Sequence, residues 1–251
     1  MEVKFIHMSD THLFAKNYVS EGKEYNANDL FEASIDKIIQ KHNDAQFLLI
    51  SGDLVDDGSV ESYEHFKNII ENKWDKPVYL CLGNHDNREN FNKVFLNSDT
   101  DKPYCYSQIL PGGEACLITL DTGRFNRRMG NIDDEQLSWL KSELGKTTLP
   151  IILMLHHPPF MGIDLEKFKF QLNNSAELYD IIKVSNIAAV CAGHLHGAYS
   201  YKWEDSPVSI VESSAFGLNF TEENTTQITG ERGYNLCILN GGKMIVRKMK
   251  F

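Results

Sequence analysis

The chain has 251 residues, of which 42% are apolar and 24% charged, a composition typical of a globular protein rather than a disordered or fibrous one. Its 35 Asp and Glu outnumber its 25 Lys and Arg, so the net charge is −10. This charge argues against a nucleic-acid polymer as partner, because such polymers bind basic surfaces. It leaves a small anionic substrate open, since bound metal cations can reverse the sign of the local field.

The first residues, MEVKFIHMSD, lack the basic segment, apolar stretch and cleavage site of a signal peptide, and no run approaches the ~20 apolar residues of a membrane span. They predict a first strand, and no membrane association is expected. The five cysteines are odd in number, and no pair has CxxC spacing. Four of them lie inside apolar runs, namely Cys81, Cys116, Cys191 and Cys237. We predict buried free thiols and a reducing, cytoplasmic location.

Short apolar runs recur along the whole chain, and each has the length of a strand rather than a helix. Several are almost continuously apolar, which indicates strands buried on both faces. The predicted strands are Val3–Met8, Phe47–Ile50, Val78–Leu82, Ala115–Leu120, Ile151–Leu155, Ile187–Ala192, Val208–Val211, Asn235–Leu239 and Met244–Lys248.

Between these runs, apolar residues recur at helical spacing. The predicted helices are Asn28–His42, Ser59–Lys73, Asp133–Leu144 and Ser175–Val184. Strand and helix alternate through most of the chain, which predicts an α/β fold. Near the C-terminus, Asn240-Gly241-Gly242 separates two strand-like runs and predicts a β-hairpin in a second sheet packed on the first. Residues 162–174 are a candidate loop or lid.

Five of the apolar runs are followed by residue types that bind divalent metals in proteins. These segments are Ser9-Asp10-Thr11-His12, Ser51-Gly52-Asp53, Gly83-Asn84-His85-Asp86, His156-His157-Pro158-Pro159 and Gly193-His194-Leu195-His196. They contain six of the nine histidines. Because ligands of α/β proteins bind at the carboxyl ends of strands, we expect one shared site. In an extended backbone residues i and i+2 point the same way, so Asp10 and His12 are expected to reach one ion together, as are His194 and His196.

In order and separation these segments resemble the motif set of the calcineurin-like metallophosphoesterases, over residues 10–196. The strings Gly83–Arg88 and His156–Phe160 resemble most closely the class III cyclic nucleotide phosphodiesterases and the related bacterial glycerophosphodiesterases. The resemblance implies a four-layer α/β/β/α sandwich with a C-terminal β-hairpin, and a single domain over residues 1–251.

The resemblance also implies a dinuclear metal centre. The implied ligands are, for the first ion, Asp10, His12 and His196, for the second, Asn84, His156 and His194, and, bridging the two, Asp53. This mixture of imidazole, carboxylate and amide suits Mn²⁺, Fe²⁺/Fe³⁺ or Zn²⁺. Of the two adjacent histidines, the family pattern His-x-Pro selects His156 as the ligand. Neighbouring strand residues point to opposite faces, so His157 is left as a candidate substrate-binding residue.

Hydrolysis by in-line attack of a metal-bound hydroxide on phosphorus follows from such a pair of ions. His85, which is not itself a ligand in the family pattern, is expected to support the developing charge and to protonate the leaving oxygen. Asp86 is expected either to orient His85 or to cap a following helix. Arg88 is expected either to bind phosphate or to lie on the surface. The pair Asp56-Asp57 and Asp121 are interpreted as structural acids.

The predicted function is metal-dependent hydrolysis of small phosphodiesters, with a cyclic nucleotide such as cAMP favoured as substrate. Alternatives on the same site are a glycerophosphodiesterase and a broad-specificity phosphomonoesterase. A non-catalytic interaction scaffold of this fold would be expected to have lost metal ligands or the catalytic histidine, and this chain retains all of them. The native substrate, the native metal and a homo-oligomeric state remain open.

Overall fold

A computed structural model describes residues 2–16, 26–159, 169–221 and 225–251. The helices are α1 (Ala27–Lys41), α2 (Val60–Lys73), α3 (Arg88–Leu96), α4 (Asp134–Leu144) and α5 (Ser175–Ile182). The strands are β1 (Val3–Met8), β2 (Leu48–Ser51), β3 (Val78–Cys81), β4 (Tyr106–Ile109), β5 (Cys116–Thr119), β6 (Ile151–Met154), β7 (Ile187–Ala192), β8 (Tyr199–Trp203), β9 (Ser206–Ile210), β10 (Gly217–Phe220), β11 (Thr226–Thr229), β12 (Gly233–Asn240) and β13 (Lys243–Lys250). Within these ranges, no helix combines the length and apolar character needed to cross a membrane.

Two large sheets carry most of the strands. The first has the order β13-β12-β1-β2-β3, and the second has the order β4-β5-β6-β7-β9-β8. Strands β1, β2 and β3 run parallel, as do β5, β6, β7 and β9. The carboxyl ends of the parallel strands therefore meet at one edge of each sheet, and β10 and β11 form a separate two-stranded sheet.

Three apolar clusters separate the layers, because side chains alternate between the two faces of each strand. On β1, Ile6 packs in the cluster that includes Phe31 of α1 and Phe66 of α2, whereas Phe5 packs between the sheets. On β6, Leu153 likewise packs in the cluster beneath α4 and α5, and Met154 packs between the sheets. The layers therefore run helix, sheet, sheet, helix, which confirms the predicted α/β/β/α arrangement.

The C-terminal hairpin is present, but it belongs to a different sheet from the one predicted. Strands β12 and β13 pair from Gly233↔Lys250 to Asn240↔Lys243. Strand β12 then pairs antiparallel with β1, so the hairpin extends the first sheet, and the second sheet is built from the middle of the chain. Alternation within a strand predicts which residues face the core, but it does not specify the distant strand with which it pairs. This pairing joins the first and last strands of the chain in one sheet, and a single domain over residues 1–251 stays a prediction.

The predicted buried free thiols are confirmed. Cys81, Cys191 and Cys237 lie between the sheets, and Cys116 lies on the helix-covered face of the second sheet. Burial raises the pKa of the Cys191 thiol to about 12, which keeps it protonated and unreactive.

Of the candidate lid at 162–174, residues 162–168 lie outside the described residues. The remaining part is held by main-chain hydrogen bonds rather than standing free. The Leu172 amide donates to the Pro158 carbonyl at 2.8 Å, and the Asn173 amide donates to the Gly130 carbonyl at 2.8 Å. These bonds therefore hold the main chain in place just before α5 begins.

Candidate metal centre

The predicted site residues follow the carboxyl ends of β1, β2, β3, β6 and β7. Main-chain hydrogen bonds tie these loops together. The Asp10 amide donates to the Gly52 carbonyl at 3.0 Å, and the Gly193 amide donates to the His156 carbonyl at 3.1 Å. The His194 amide in turn donates to the Asp10 carboxylate at 3.0 Å, which joins a loop of the first sheet to one of the second. The structure thus brings both sheets' loops to one place.

Five of the predicted ligands have a left-handed backbone. The φ angles are 52° at Asp10, 46° at His12, 49° at Asp53, 72° at His194 and 51° at His196. Residues other than glycine rarely adopt this region, and such strain persists only where the surroundings impose it, commonly at functional sites. The expectation of extended backbone at these positions is therefore wrong, because each loop turns at its ligand positions.

The candidate ligands fall into two groups of buried side chains. One group contains Asp10, His12, Asp53 and His196, and the other contains His156, His157 and His194, with the donor atoms of each group within 4.8 Å of one another. His194 and His196 therefore lie in different groups, contrary to the expectation from their spacing. Asp53 lies between the groups, since its Oδ2 is 3.3 Å from His156 Nε2 and 3.8 Å from His12 Nε2.

In three of the imidazoles, a hydrogen bond at Nδ1 fixes which ring nitrogen carries the proton. Nδ1 of His12 lies 3.0 Å from the Asp56 carboxylate, Nδ1 of His156 lies 2.8 Å from the Ser51 carbonyl, and Nδ1 of His196 lies 2.8 Å from the Phe216 carbonyl. These oxygens can only accept, so each Nδ1 carries the proton and donates it. In the neutral ring, Nε2 is then left with a bare lone pair.

Those lone pairs face one another inside the site. Nε2 of His12 and Nε2 of His196 are 3.2 Å apart, and in the neutral rings neither has a proton to donate. Three buried polar atoms of the site, Asn84 Oδ1, His157 Nε2 and His194 Nε2, have no hydrogen-bond partner among the described residues. Unsatisfied buried acceptors are costly, and metal ions bound in the two groups would satisfy the lone pairs of His12, His196, Asn84 and His194. The buried His and Asp clusters can therefore bind metal ions, and the donor set fits the implied group.

Electrostatics reinforce this arrangement. Burial lowers the pKa of His156, but Asp53 and Asp10 outweigh it and raise the value to about 9. Burial raises the pKa of Asp53, but His156 and His12 outweigh that effect and hold it well below its usual range. Burial and the neighbouring histidines hold the pKa of His194 well below its ordinary value. The carboxylates thus create a negative field at the buried imidazoles, which favours a bound cation there.

His85 is more accessible than the histidines of the two groups. Its side chain is 37% exposed, against 3% for His12 and 5% for His196. Its Nδ1 donates to the Asp56 carbonyl at 2.9 Å, and its ring lies edge-on to His12 with centroids 4.7 Å apart. Burial lowers the pKa of His85, but Asp53 and the bond to Asp56 outweigh it and raise the value.

Asp56 is a site residue that the sequence interpretation missed. Its carboxylate accepts from His12, and its carbonyl accepts from His85. The sequence interpretation makes it a structural acid, but its partners come from two other loops of the site, those after β1 and β3. The available signal was its position three residues after Asp53 in the same strand-end loop.

Asp86 makes neither of the two contacts predicted for it, one to the His85 ring and the other at the start of a helix. Its carboxylate accepts from the Gly83 amide at 2.8 Å, the Tyr63 hydroxyl at 3.0 Å and the Leu54 amide at 3.2 Å. The ring nitrogen of His85 is held instead by Asp56, because Asp86 is already occupied in tying the β2 and β3 loops together. The cap of α3 is Asn87, whose side chain accepts from the Asn90 amide, so the N-cap alternative is also wrong.

Of the two predicted substrate-binding residues, His157 belongs to the second group and Arg88 to neither. Arg88 Nε donates to Asp121 at 2.7 Å, and its Nη2 donates to the Gly123 carbonyl at 2.8 Å. This pairing agrees with the structural role predicted for Asp121. His157 is fully buried beside His156, and its Nδ1 contacts the Thr122 hydroxyl at 2.9 Å. Binding of substrate by Arg88 or His157 stays a prediction.

Comparison with known proteins identifies the family. The family model for calcineurin-like phosphoesterases matches residues 3–198. The chain belongs to this family. A probable cyclic nucleotide phosphodiesterase of Rhodococcus erythropolis is 33% identical over 236 residues, covering 91% of this chain and 75% of the relative. A probable glycerophosphodiester phosphodiesterase of Arcobacter nitrofigilis is 28% identical over 207 residues, covering 79% of this chain and 73% of the relative.

The solved structures agree on the fold. A purple acid phosphatase from yellow lupin seeds superposes with a TM-score of 0.67 at 15% identity, over 99% of this chain and 52% of the lupin chain. At this identity the likeness shows the fold alone. The family match and the phosphodiesterase names of the relatives confirm the prediction of a phosphoric diester hydrolase.

Proposed function

We propose that this calcineurin-like phosphoesterase is a dinuclear-metal phosphodiesterase of small phosphodiesters, with a cyclic nucleotide as the favoured substrate. The observation that carries the metal dependence is the pair of facing nitrogens on His12 and His196, whose Nδ1 atoms already donate elsewhere. The name of the Rhodococcus relative favours the cyclic nucleotide.

In this proposal seven side chains hold the ions. Asp53 is shared between them because it lies within 4 Å of histidines from both groups. The proposed ligands are, for one ion, Asp10, His12 and His196, for the other, Asn84, His156 and His194, and, for both, Asp53. When bound, the ions would lower the pKa of a coordinated water toward ~7 and neutralise charge on the phosphoryl oxygens.

The chain's own residues would orient the substrate and move the proton. His85 has its Nδ1 proton committed to the Asp56 carbonyl, so Nε2 is the nitrogen available to exchange a proton with the leaving oxygen. Its partial exposure allows contact with a substrate from solvent. Asp56 and Asp86 act as positioning residues. Asp56 holds the rings of His12 and His85, and Asp86 ties together the β2 and β3 loops, which carry Asp56 and His85.

A glycerophosphodiester is the second candidate substrate. The Arcobacter relative carries that name, and its match covers most of both chains. Both substrates present one phosphodiester group to the same residues. The choice between them therefore depends on hydrolysis of cAMP compared with glycerophosphocholine once diester cleavage is established.

The test is hydrolysis of bis(p-nitrophenyl) phosphate beside the p-nitrophenyl monoester, with chelator-stripped protein and with Mn²⁺ restored. We expect Mn²⁺-dependent cleavage that is faster for the diester. His196→Gln should lower it by more than the ~10–100-fold typical of losing an outer-shell partner. His65→Gln, on α2, is the matched control and should retain the activity. Faster monoester cleavage would instead indicate a phosphomonoesterase, and no cleavage with Mn²⁺, Fe²⁺ or Zn²⁺ would contradict the proposal.

A further inference from the structure

An acidic chain carries a concentrated group of positive charges beside its site. Three of the six arginines lie within residues 124–128. Together with Lys169 they line a surface cavity of about 620 Å³, and we call Arg124, Arg127, Arg128 and Lys169 the basic cluster. All four side chains are exposed, so they are available to a ligand from solvent.

The basic cluster has no compensating carboxylate among the residues that the structure describes. Its other lining residues, Met129, Asn131 and Asn173, are uncharged. Arg88, by contrast, is paired with Asp121. Like charges gathered in one cavity repel each other unless an anion joins them. Guanidinium groups present several N–H donors in a planar fork, which matches the oxygens of a phosphate.

Two contacts connect the basic cluster with the candidate metal centre. The guanidinium of Arg128 lies 5.7 Å from the centroid of the Phe170 ring, and that ring lies 5.1 Å from the ring of His194. In the loop that carries the arginines, the Asn126 amide donates to the Asn84 carbonyl at 2.8 Å. One aromatic ring, that of Phe170, therefore lies between Arg128 and the predicted ligand His194. One main-chain hydrogen bond connects the arginine loop directly to the predicted ligand Asn84.

We propose that the basic cluster binds a second phosphoryl group of the substrate, so that, of two nucleotide diesters that differ only in a further phosphate, the enzyme prefers the one that carries it. The inference rests on the proposed phosphodiesterase function, but it does not require a cyclic mononucleotide. A cyclic mononucleotide has only the phosphoryl group that is cleaved and would leave the cluster unused. A nucleotide diester with an additional phosphate on its sugar would engage both sites.

The test compares two chromogenic substrates that differ only in that phosphate. These are the p-nitrophenyl ester of thymidine 5′-phosphate and the same ester with a 3′-phosphate. We expect the ratio of kcat/KM values to favour the 3′-phosphorylated ester by about 10-fold, as one charge-assisted hydrogen bond would give. In the double variant Arg127→Gln/Arg128→Gln this ratio should fall toward one.

The control variant Lys243→Gln/Arg247→Gln removes the same charge from exposed positions on β13 and should keep the wild-type ratio. Equal ratios in the wild type and the R127Q/R128Q variant, or an equal fall in both variants, would overturn the inference. Failure to hydrolyse either ester would count against the proposed function instead. In that case, titration calorimetry on chelator-treated protein tests the inference. We expect tighter binding of thymidine 3′,5′-bisphosphate than of the 5′-monophosphate. In R127Q/R128Q this difference should disappear, and its absence in the wild type would overturn the inference.

Discussion

Asp56 holds two histidines of the site with two different groups. Its carboxylate fixes the ring of His12 and its carbonyl fixes the ring of His85, so one residue sets the direction of both Nε2 atoms. In metal sites a partner of this kind fixes the tautomer of the ligand and raises its basicity. Asp56 therefore connects the affinity for metal with the placement of the proton donor.

We predict that Asp56→Asn weakens Mn²⁺ binding by about 10–100-fold, because the amide is uncharged and can turn its NH₂ group toward His12. Titration calorimetry on chelator-stripped protein measures this affinity. Asp57→Asn is the matched control, since Asp57 is an exposed neighbour that accepts only from the Ser59 amide among the contacts described. Unchanged Mn²⁺ affinity in D56N would show that Asp56 does not support the metal centre.

The sequence predicted which residues come together in the site, but not the hydrogen bonds that hold their side chains in position. Asp10, Asp53 and the site histidines could be selected because each follows an apolar run, and the structure brings them together. Their roles as ligands stay predictions. Asp56 and Asp86 could not be assigned, because their partners come from loops distant in the chain and a pattern of single residues does not contain those contacts.

Among the secondary-structure elements, those buried on both faces were predicted best. Strands β1 and β7 have the predicted bounds, because nearly all of their residues are buried, and in β7 all six are apolar. Strands β4 and β8 lie at the two edges of the second sheet and were missed, since an edge strand alternates or remains partly exposed. The short helix α3 was also missed, because only Phe91 and Asn92 of its nine residues are buried.

The loop between β2 and α2 offers a test of the close packing at the strand ends. Gly52 has a φ of +95°, and a Cβ there would lie 2.6 Å from His156 Nδ1 and 2.8 Å from the Gly83 amide nitrogen. We predict that Gly52→Ala lowers the free energy of unfolding by about 1–3 kcal/mol, a typical cost of overpacking. Urea unfolding of the metal-free protein measures this. Gly230→Ala, where nothing lies within 4 Å, should stay within ~0.5 kcal/mol of wild type, and an equal loss in both would refute the steric explanation.

At the scale of the whole molecule, the first strand pairs with a strand close to the C-terminus. Strand β12 pairs with β1 from Val3↔Leu239 to His7↔Asn235, which places the hairpin beside the strand that leads to Asp10. Local patterns predicted the hairpin, and the family resemblance implied the four layers, but neither predicted this partner, because strand pairing across the full chain depends on contacts that no short segment encodes. The strand that begins the site is thus anchored by the last residues of the chain.

His7 lies in this anchored strand and provides a test at the scale of the whole fold. It is fully buried, and its Nε2 contacts the Ser51 hydroxyl at 2.8 Å. Burial lowers the pKa of His7 to about 3, against the opposing effect of Asp10, whereas the unfolded chain has an ordinary histidine value of 6.5. Between these values the unfolded state binds the additional proton, so the folded state is stable above pH 6.5 and loses stability as the pH falls.

We predict that His7→Gln removes about 2 kcal/mol of the stability loss that wild type shows between pH 7.5 and pH 5, as linkage gives for this shift in pKa. The measurement is urea unfolding of metal-free wild type and variant at both pH values. Comparing the two proteins cancels the contribution of the other histidines and any constant cost of the substitution. His65→Gln on α2 should change the pH dependence less, because His65 is only partly buried. The same pH dependence in wild type and H7Q would show that His7 is not held neutral between the sheets.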